Sequence, residues 1–288
     1  MQRILSTKLY RTQALAPEML SEIASTGASA IEIVCDSFHF RYSSAQAVRE
    51  LGSALEGSGL TLHSLHAPTE RDKGTGRGSG VPISITDPER IRRQDAVDEM
   101  KRALEVAETI PFRFFVQDLA IGHQAADPRK LDAAFNSLEI LSIFAKHRDV
   151  TIALQNTPNE IGSPASLVQF VKDTHLNSLR FCFDTGHAHI ESGVVAGLHT
   201  MRDLVVTAHI HDNHGEKDEH LLPWDGTIGW DAAFSEFTSA PEPFPLVLEL
   251  KEASVAPSLD PIRAAFDKIE KHLEEKAANS ARSGPARA

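Results

Sequence analysis

The feature that most constrains this chain is a repeated unit, in which a short apolar run is followed by a segment with the signals of a helix. The runs are nearly continuous in apolar character, as strands are when helices cover both faces of a parallel sheet. The segments between them begin with residues typical of helix N-termini, such as Pro17, Asp127 and Ser163. We predict strands at residues 5–10, 30–36, 60–66, 112–118, 151–155, 180–183, 205–211 and 245–250.

Eight strands that alternate with helices predict an α/β fold of the TIM (β/α)8 type. The length of 288 residues suits one undivided barrel. A doubly wound open sheet is the competing architecture. We therefore assign residues 1–275 to a single barrel domain, and residues 276–288, which lack an apolar pattern, to a disordered C-terminal tail.

Composition narrows the classes of function. The formal net charge of -11 argues against broad contact with a nucleic-acid backbone, because such binding depends on Lys and Arg. No apolar run approaches the ~20 residues of a membrane span, and the N-terminal residues lack the apolar core of a secretion signal. The two cysteines, Cys35 and Cys182, form no CxxC pair. We expect a cytoplasmic protein without membrane contact.

Polar residues are concentrated where the predicted strands end. In a barrel of this kind the carboxyl ends of the strands form the active face. Burying several Asp, His and Glu side chains there would be costly unless they were paired or bound to a metal. Taken singly each has a structural explanation, and Asp184 in particular could cap a helix. The residues at or near strand ends are His66, Gln117, Asp118, Gln155, Asp184, His209, His211 and Glu249.

Several motifs resemble those of one known superfamily. They are FDTGH at 183–187, HIHDN at 209–213, DEH at 218–220 with GTIG at 226–229, and LE at 248–249. In this order they resemble the xylose isomerase-like barrels. That group contains sugar and sugar-phosphate isomerases and epimerases, including the tagatose epimerase type, and the apurinic endonucleases of the same fold.

The resemblance implies roles for individual residues. Asp184, His209 and Glu249 match metal ligands, with Gln155 as a fourth. Asp218 and His220 match additional endonuclease ligands, and His187 and His66 would contact substrate or, in that branch, further metals. The predicted substrate contacts are His66, Gln117, Asn156, His187, His211, His220 and Trp224. The predicted catalytic residues are Glu249, His187 and Glu160.

Two positions depart from the superfamily pattern. Gln155 stands where a glutamate is usual, and Gln117 and Asp118 stand where endonucleases carry a histidine. A glutamine can offer an amide oxygen to a cation, but it brings no charge and cannot accept a proton. We therefore expect one divalent ion (manganese, cobalt, zinc or magnesium) and Glu249 as the base. Two-base epimerisation would need Glu160 to enter the site from its loop.

These expectations lead to three hypotheses. The first is a metal-dependent isomerase or epimerase of a small sugar, sugar phosphate or polyol, acting through an enediol. The second is a barrel that has kept its fold and lost its catalytic activity, and that binds a sugar or a protein partner. The third is an endonuclease acting at abasic sites. We expect a small-molecule sugar substrate and no nucleic acid, and regard a homo-oligomer as a possible assembly.

Overall fold

The computed structural model describes residues 1–71, 81–119, 125, 127–255 and 258–282, with side chains described to residue 278. In this part of the chain eight parallel strands close into a barrel, in which each strand pairs with its neighbours along the chain and the last pairs with the first. The predicted barrel is confirmed. The strands are β1 Ile4–Ser6, β2 Ala30–Val34, β3 Thr61–His66, β4 Phe114–Asp118, β5 Thr151–Gln155, β6 Arg180–Asp184, β7 Val205–Ile210 and β8 Leu246–Leu248.

Helices surround the barrel and follow its strands. They are α1 Pro17–Ser25, α2 Ala45–Ser58, α3 Arg90–Leu104, α4 Pro128–Lys146, α5 Pro164–Thr174, α6 Thr185–Glu191, α7 Val194–Met201, α8 Trp230–Ser239 and α9 Asp260–Arg282. Short 3-10 helices lie at Thr7–Tyr10, Glu105–Glu108 and Glu252–Ser254, and Glu70–Arg71 pairs with Val81–Pro82 in antiparallel fashion. None of the described helices is both long and apolar enough to cross a membrane.

Several strand boundaries differ from those predicted, and the first strand differs most. The first strand ends at Ser6 because its hydroxyl caps the 3-10 turn Thr7–Tyr10, accepting a hydrogen bond from the backbone N of Lys8 at 3.4 Å. The last helix continues to Arg282, beyond the predicted start of the tail at residue 276. Lys276 pairs there with Asp231 of α8, with 3.1 Å between Nζ and Oδ1. Residues 283–288 lie outside the described part of the chain.

The barrel interior changes from apolar to polar along its axis. Ile4, Ala30 and Val247 form a buried apolar cluster at the start of the barrel. Side chains two residues apart on a strand face the same side, so the next inward positions on β1 and β2 are Ser6 and Glu32. Both are completely buried. The polar layer therefore begins inside the barrel, below the loops that form its mouth.

Asp212 organises the loop between β7 and α8. Its carboxylate is completely buried and accepts hydrogen bonds from the backbone N of Trp224 at 3.0 Å and of Ile228 at 3.1 Å. A third bond, of 2.7 Å, comes from Nε1 of Trp230. These bonds fold the loop back on itself and so place Asp218 and His220 above the barrel.

Removing this carboxylate is expected to destabilise the protein. Asp212→Ala leaves buried N–H donors without an acceptor, and we expect the free energy of unfolding to fall by about 3 kcal/mol. Asp225→Ala in the same loop changes an exposed carboxylate and should alter it by less than about 0.5 kcal/mol. Urea denaturation of both variants measures the difference. Equal unfolding free energies would contradict the assigned role of Asp212.

Candidate metal centre

The ends of three neighbouring strands bring two carboxylates and one imidazole together. Asp184 ends β6, His209 lies in β7 and is paired in register with Asp184, and Glu249 follows β8 directly. All three are completely buried. Nδ1 of His209 lies 3.7 Å from Oδ2 of Asp184 and 3.6 Å from Oε2 of Glu249. The predicted ligand triad is therefore assembled at the floor of the barrel mouth.

Two atoms of this triad have no hydrogen-bond partner among the described residues. They are Nδ1 of His209 and Oε2 of Glu249, and both are buried. Unpaired polar atoms are costly to bury, and a nitrogen with two carboxylate oxygens around it is the mixed donor set of a divalent transition metal. Ligand atoms about 2.1 Å from one ion lie roughly 3–3.5 Å apart, slightly less than the two distances from Nδ1 of His209. Asp184 and Glu249 also have ligand atoms within 4.8 Å of each other, in a group with His211. The residues present fit such an ion.

Glu32 holds His209 in the required orientation, and the sequence prediction missed it. Its Oε2 lies 3.0 Å from Nε2 of His209 and accepts a hydrogen bond from Ser64, while Oε1 accepts one from Ser6. Metal-binding histidines commonly donate their second ring N–H to a carboxylate in this way. The available signal was a charged residue inside the apolar strand AIEIV.

Charges around His209 favour a cation at this point. Burial lowers its pKa, but the surrounding acidic groups, among them Glu32 and Glu249, raise it well above the ordinary value. Burial likewise raises the pKa of Asp184, but His187 and His211 hold it well below its usual range. The carboxylates are therefore ionised and attract either a proton or a metal ion to Nδ1 of His209.

Asp184 has both of the roles that its sequence suggests. Oδ1 caps α6 by accepting a hydrogen bond from the backbone N of His187 at 2.8 Å, and it also lies 3.0 Å from Nε2 of His211. Oδ2 faces His209. One carboxylate therefore starts a helix with one oxygen and faces the candidate metal centre with the other.

Gln155 bridges two side chains and is not placed as a ligand. Its Nε2 donates to Oδ2 of Asp184 at 2.8 Å, and its Oε1 lies 3.0 Å from Nε2 of His66. The amide oxygen, the only atom that could bind a cation, is thus engaged by His66. The predicted ligand role of Gln155 stays a prediction, for a side chain that here bridges Asp184 and His66.

A second group of ionisable side chains lies beside the first. Oδ2 of Asp218 is 2.8 Å from Nε2 of His220, and Oδ1 is 4.0 Å from Nδ1 of His211. The rings of His211 and His220 stack at 4.0 Å. Nδ1 of His220 reaches the carbonyl oxygen of Glu249 at 2.9 Å, which ties this group to the triad. His211, Asp218 and His220 could together hold a second ion.

A cavity of about 480 Å³ opens beside Glu249 of the triad. Four predicted site residues line it, namely His66, Gln155, His187 and Glu249. Burial would lower the pKa of His187, but Asp184 and Asp218 raise it to about 9. The cavity therefore presents a charged imidazole to a ligand at neutral pH.

Other predicted contacts lie elsewhere. His211 and His220 are completely buried behind the cavity wall. Gln117 alternates with Asp118 on β4, so Asp118 faces the cavity and Gln117 does not. The Asn156 amide is tied to the Asp184 backbone, donating to O at 3.0 Å and accepting from N at 2.7 Å.

Trp224 and Glu160 are also outside the cavity. The Trp224 ring packs against Trp230, Phe234 and His272, on the side of α8 and α9. Glu160 is exposed on the loop after β5. Neither residue is in the cavity lining, and the predicted roles of Trp224 in substrate contact and of Glu160 as second base stay predictions.

Lys8 lines the cavity, which the sequence did not predict. Its Nζ lies 3.2 Å from Oε1 of Glu249. Burial lowers the pKa of Lys8, but Glu249, Asp218 and Asp184 raise it overall. The 3-10 turn after β1 brings the ammonium group here, and a residue assigned to a longer strand carries no signal of that position.

Gly186 is required for the position of His211. A Cβ at residue 186 would lie 2.0 Å from Cε1 of His211, so Gly186→Ala must displace the ring that contacts Asp184. We expect a loss of about 2 kcal/mol in unfolding free energy and weaker metal binding. Gly57→Ala meets nothing within 4 Å and should leave metal binding unchanged. Calorimetric titration with manganese compares the variants, and unaltered affinity in Gly186→Ala would contradict the expectation.

Known proteins share this architecture. The xylose isomerase-like TIM barrel family profile matches residues 20–272. The uncharacterized protein y4fM of Sinorhizobium fredii is 24% identical over 248 residues, which are 77% of this chain and 79% of that protein.

Two solved structures extend the comparison. A D-tagatose 3-epimerase-like protein aligns with a TM-score of 0.79 at 20% identity, covering 97% of this chain and 100% of the other. The IolI protein with a bound zinc atom aligns with a TM-score of 0.73 at 15% identity, covering 96% and 99%. At these identities the likeness shows the fold.

Proposed function

The chain belongs to the xylose isomerase-like TIM barrel family, and we propose that it is a metal-dependent isomerase or epimerase of a small sugar, sugar phosphate or polyol. One observation carries the proposal: Asp184, His209 and Glu249 converge, two of their buried atoms have no hydrogen-bond partner among the described residues, and Glu249 lines a cavity. The likeness to an epimerase-like structure and to zinc-bound IolI supports it.

The triad would hold one divalent ion. Asp184, His209 and Glu249 would bind manganese, cobalt, zinc or magnesium, since nitrogen and oxygen donors suit all four. When bound, the ion supplies Lewis-acid polarisation of the carbonyl and hydroxyl oxygens of the substrate. His187 and His66, on the cavity wall, are the groups that would hydrogen-bond substrate hydroxyls.

Glu249 is the base in this proposal. Burial would raise its pKa, but Lys8, His209 and His220 lower it, so the carboxylate is ionised and can accept a proton. It would remove the proton from the carbon beside the carbonyl and return it to the neighbouring carbon. Gln155 cannot accept a proton, and Glu160 lies outside the cavity. With one base, aldose–ketose isomerisation is favoured over two-base epimerisation.

Exchange of substrate protons with solvent tests this function. With manganese, cobalt or zinc added, we expect the protein to incorporate deuterium from deuterated water beside the carbonyl of at least one ketose or ketose phosphate. Glu249→Gln should slow this exchange by at least about 100-fold, because it removes the general base. Glu252→Gln, an exposed neighbour, is the matched control. If the wild-type protein exchanged no proton with any of the ketoses and ketose phosphates tested, the proposal would be refuted.

An endonuclease acting at abasic sites is the second candidate. The group of His211, Asp218 and His220 favours it, because nucleases of this fold use additional metal ions. The net charge of -11 and the absence of the strand-four histidine argue against it. Cleavage of an abasic duplex at physiological salt, without ketose exchange, would select this function instead.

Gln155→Glu separates metal binding from a purely structural bridge. The new carboxylate would stand where Nε2 now lies, 2.8 Å from Oδ2 of Asp184. Two ionised carboxylates repel each other at this distance, so the melting temperature of the variant in chelator should be lower than that of wild type. A cation between them reverses the repulsion, so adding manganese should raise the melting temperature of the variant more than that of wild type.

A surface glutamine provides the control. Gln169→Glu also sets a carboxylate beside an aspartate, since Nε2 of Gln169 contacts Asp173 at 2.6 Å, but this pair is exposed. We expect a loss of about 0.3–0.5 kcal/mol that metal does not change. If manganese raised the melting temperatures of wild type, Gln155→Glu and Gln169→Glu equally, or raised none, the metal centre assigned to Asp184, His209 and Glu249 would be wrong. A protein without any metal response would then fit a sugar-binding or partner-binding barrel.

A further inference from the structure

Lys8 places an ammonium group beside the proposed base. It belongs to the 3-10 turn Thr7–Tyr10 at the end of β1, and β1 is the barrel neighbour of β8, which Glu249 follows. Its Nζ lies 3.2 Å from Oε1 of Glu249. Glu249 is completely buried, whereas the Lys8 side chain is 18% exposed and lines the cavity. The lysine thus stands between the base and the space for a ligand.

The two oxygens of Glu249 have different surroundings. Oε2 faces Nδ1 of His209 at 3.6 Å and Nδ1 of His220 at 3.4 Å, on the side of the proposed ion. Oε1 faces Lys8. In the proposed centre Oε2 would face the ion, so Oε1, beside Lys8, would take the proton from a substrate carbon.

The position of Oε1 determines what Lys8 can touch. A substrate carbon that loses its proton to Oε1 must lie in contact with that atom. A group within hydrogen-bond distance of Oε1 is then close to the oxygen on that carbon and to the oxygen on the adjacent carbon. An ammonium group has three N–H donors. Among the described residues, Nζ of Lys8 makes one hydrogen bond, to Glu249. The remaining donors are available to a substrate oxygen.

We propose that Lys8 is a catalytic residue, which donates a hydrogen bond to the substrate carbonyl oxygen while Glu249 removes the proton from the adjacent carbon. This inference rests on the proposed isomerase function. The proton forms an O–H bond with Oε1, the C–H electron pair becomes the carbon–carbon double bond, and the carbonyl π pair moves to oxygen. Lys8 stabilises the negative charge that develops on this oxygen.

Two ligands distinguish this role from simple positioning of Glu249. A sugar hydroxamate carries an anionic oxygen that resembles the enediolate, whereas the alditol of equal chain length has only hydroxyl groups. A residue that stabilises developing charge should favour the hydroxamate selectively. A residue that only orients Glu249 should not separate the two ligands.

The experiment compares wild type with Lys8→Met and Lys8→Arg, all loaded with manganese, by calorimetric titration of both ligands and by ketose proton exchange. Lys8→Met should weaken hydroxamate binding by about 30-fold or more and slow exchange by about 100-fold, whereas alditol affinity should change by less than about 3-fold. Lys8→Arg, which keeps a charged donor, should recover much of the hydroxamate affinity. Lys271→Met, an exposed lysine, should match wild type.

Equal weakening of both ligands, or no change in either, would overturn the role of Lys8. If Lys8→Met failed to bind manganese, Lys8→Arg alone would decide: selective retention of hydroxamate over alditol supports the role, and parallel loss overturns it. A wild-type protein that exchanges no ketose proton refutes the proposed function itself, and with it the premise for Lys8. A wild type that exchanges, with unimpaired Lys8 variants, refutes the role of Lys8 alone.

Discussion

The polar end of the barrel depends on the contact between His209 and Glu32. Both side chains are completely buried, and the 3.0 Å contact between Nε2 and Oε2 fixes which ring nitrogen faces the carboxylates of the triad. Without this contact the buried ring of His209 could rotate. Its Nδ1 would then not be held towards Asp184 and Glu249, and the free-energy cost of burying these carboxylates would be uncompensated. Ser6 and Ser64 complete the shell of donors around Glu32. The strands therefore supply the buried part of the candidate centre, and residues of the loops add to it.

The fold could be predicted because its signals are local and repeated. Every predicted strand is present, since apolar runs between helix start and stop signals define strands well. Asp184, His209 and Glu249 were among the candidates for a related reason, because the carboxyl ends of the strands form the active face, and the resemblance to the superfamily then implied that they are ligands. The errors at strand ends, as at Ser6, reflect a capping hydrogen bond that the apolar pattern does not contain.

The positions of the other site residues could not be predicted from the spacing of residues in the sequence. Trp224 has a φ of 76, so its side chain leaves the loop in a direction that no periodic pattern indicates. Asn156 looked like a substrate contact, but its amide matches the backbone N–H and C=O of Asp184, a partner that only the folded chain identifies. Lys8 and Glu32 were missed for another reason: each contacts a residue more than a hundred positions away, and even the charge of Glu32 inside an apolar strand does not identify that partner.

The way in which both triad carboxylates are held has a consequence for the identity of the ion. Asp184 has one oxygen committed to His187 and His211, and Glu249 has one committed to Lys8. In the proposed centre each carboxylate would therefore present one oxygen to the ion, which Asp184 shares with the amide of Gln155, and bidentate binding would compete with these hydrogen bonds. Calcium takes six to eight oxygen ligands and depends on such bidentate carboxylates, whereas a nitrogen donor beside two monodentate oxygens suits smaller ions. If an ion binds at the proposed centre, the hydrogen bonds of the triad would therefore disfavour calcium relative to smaller ions.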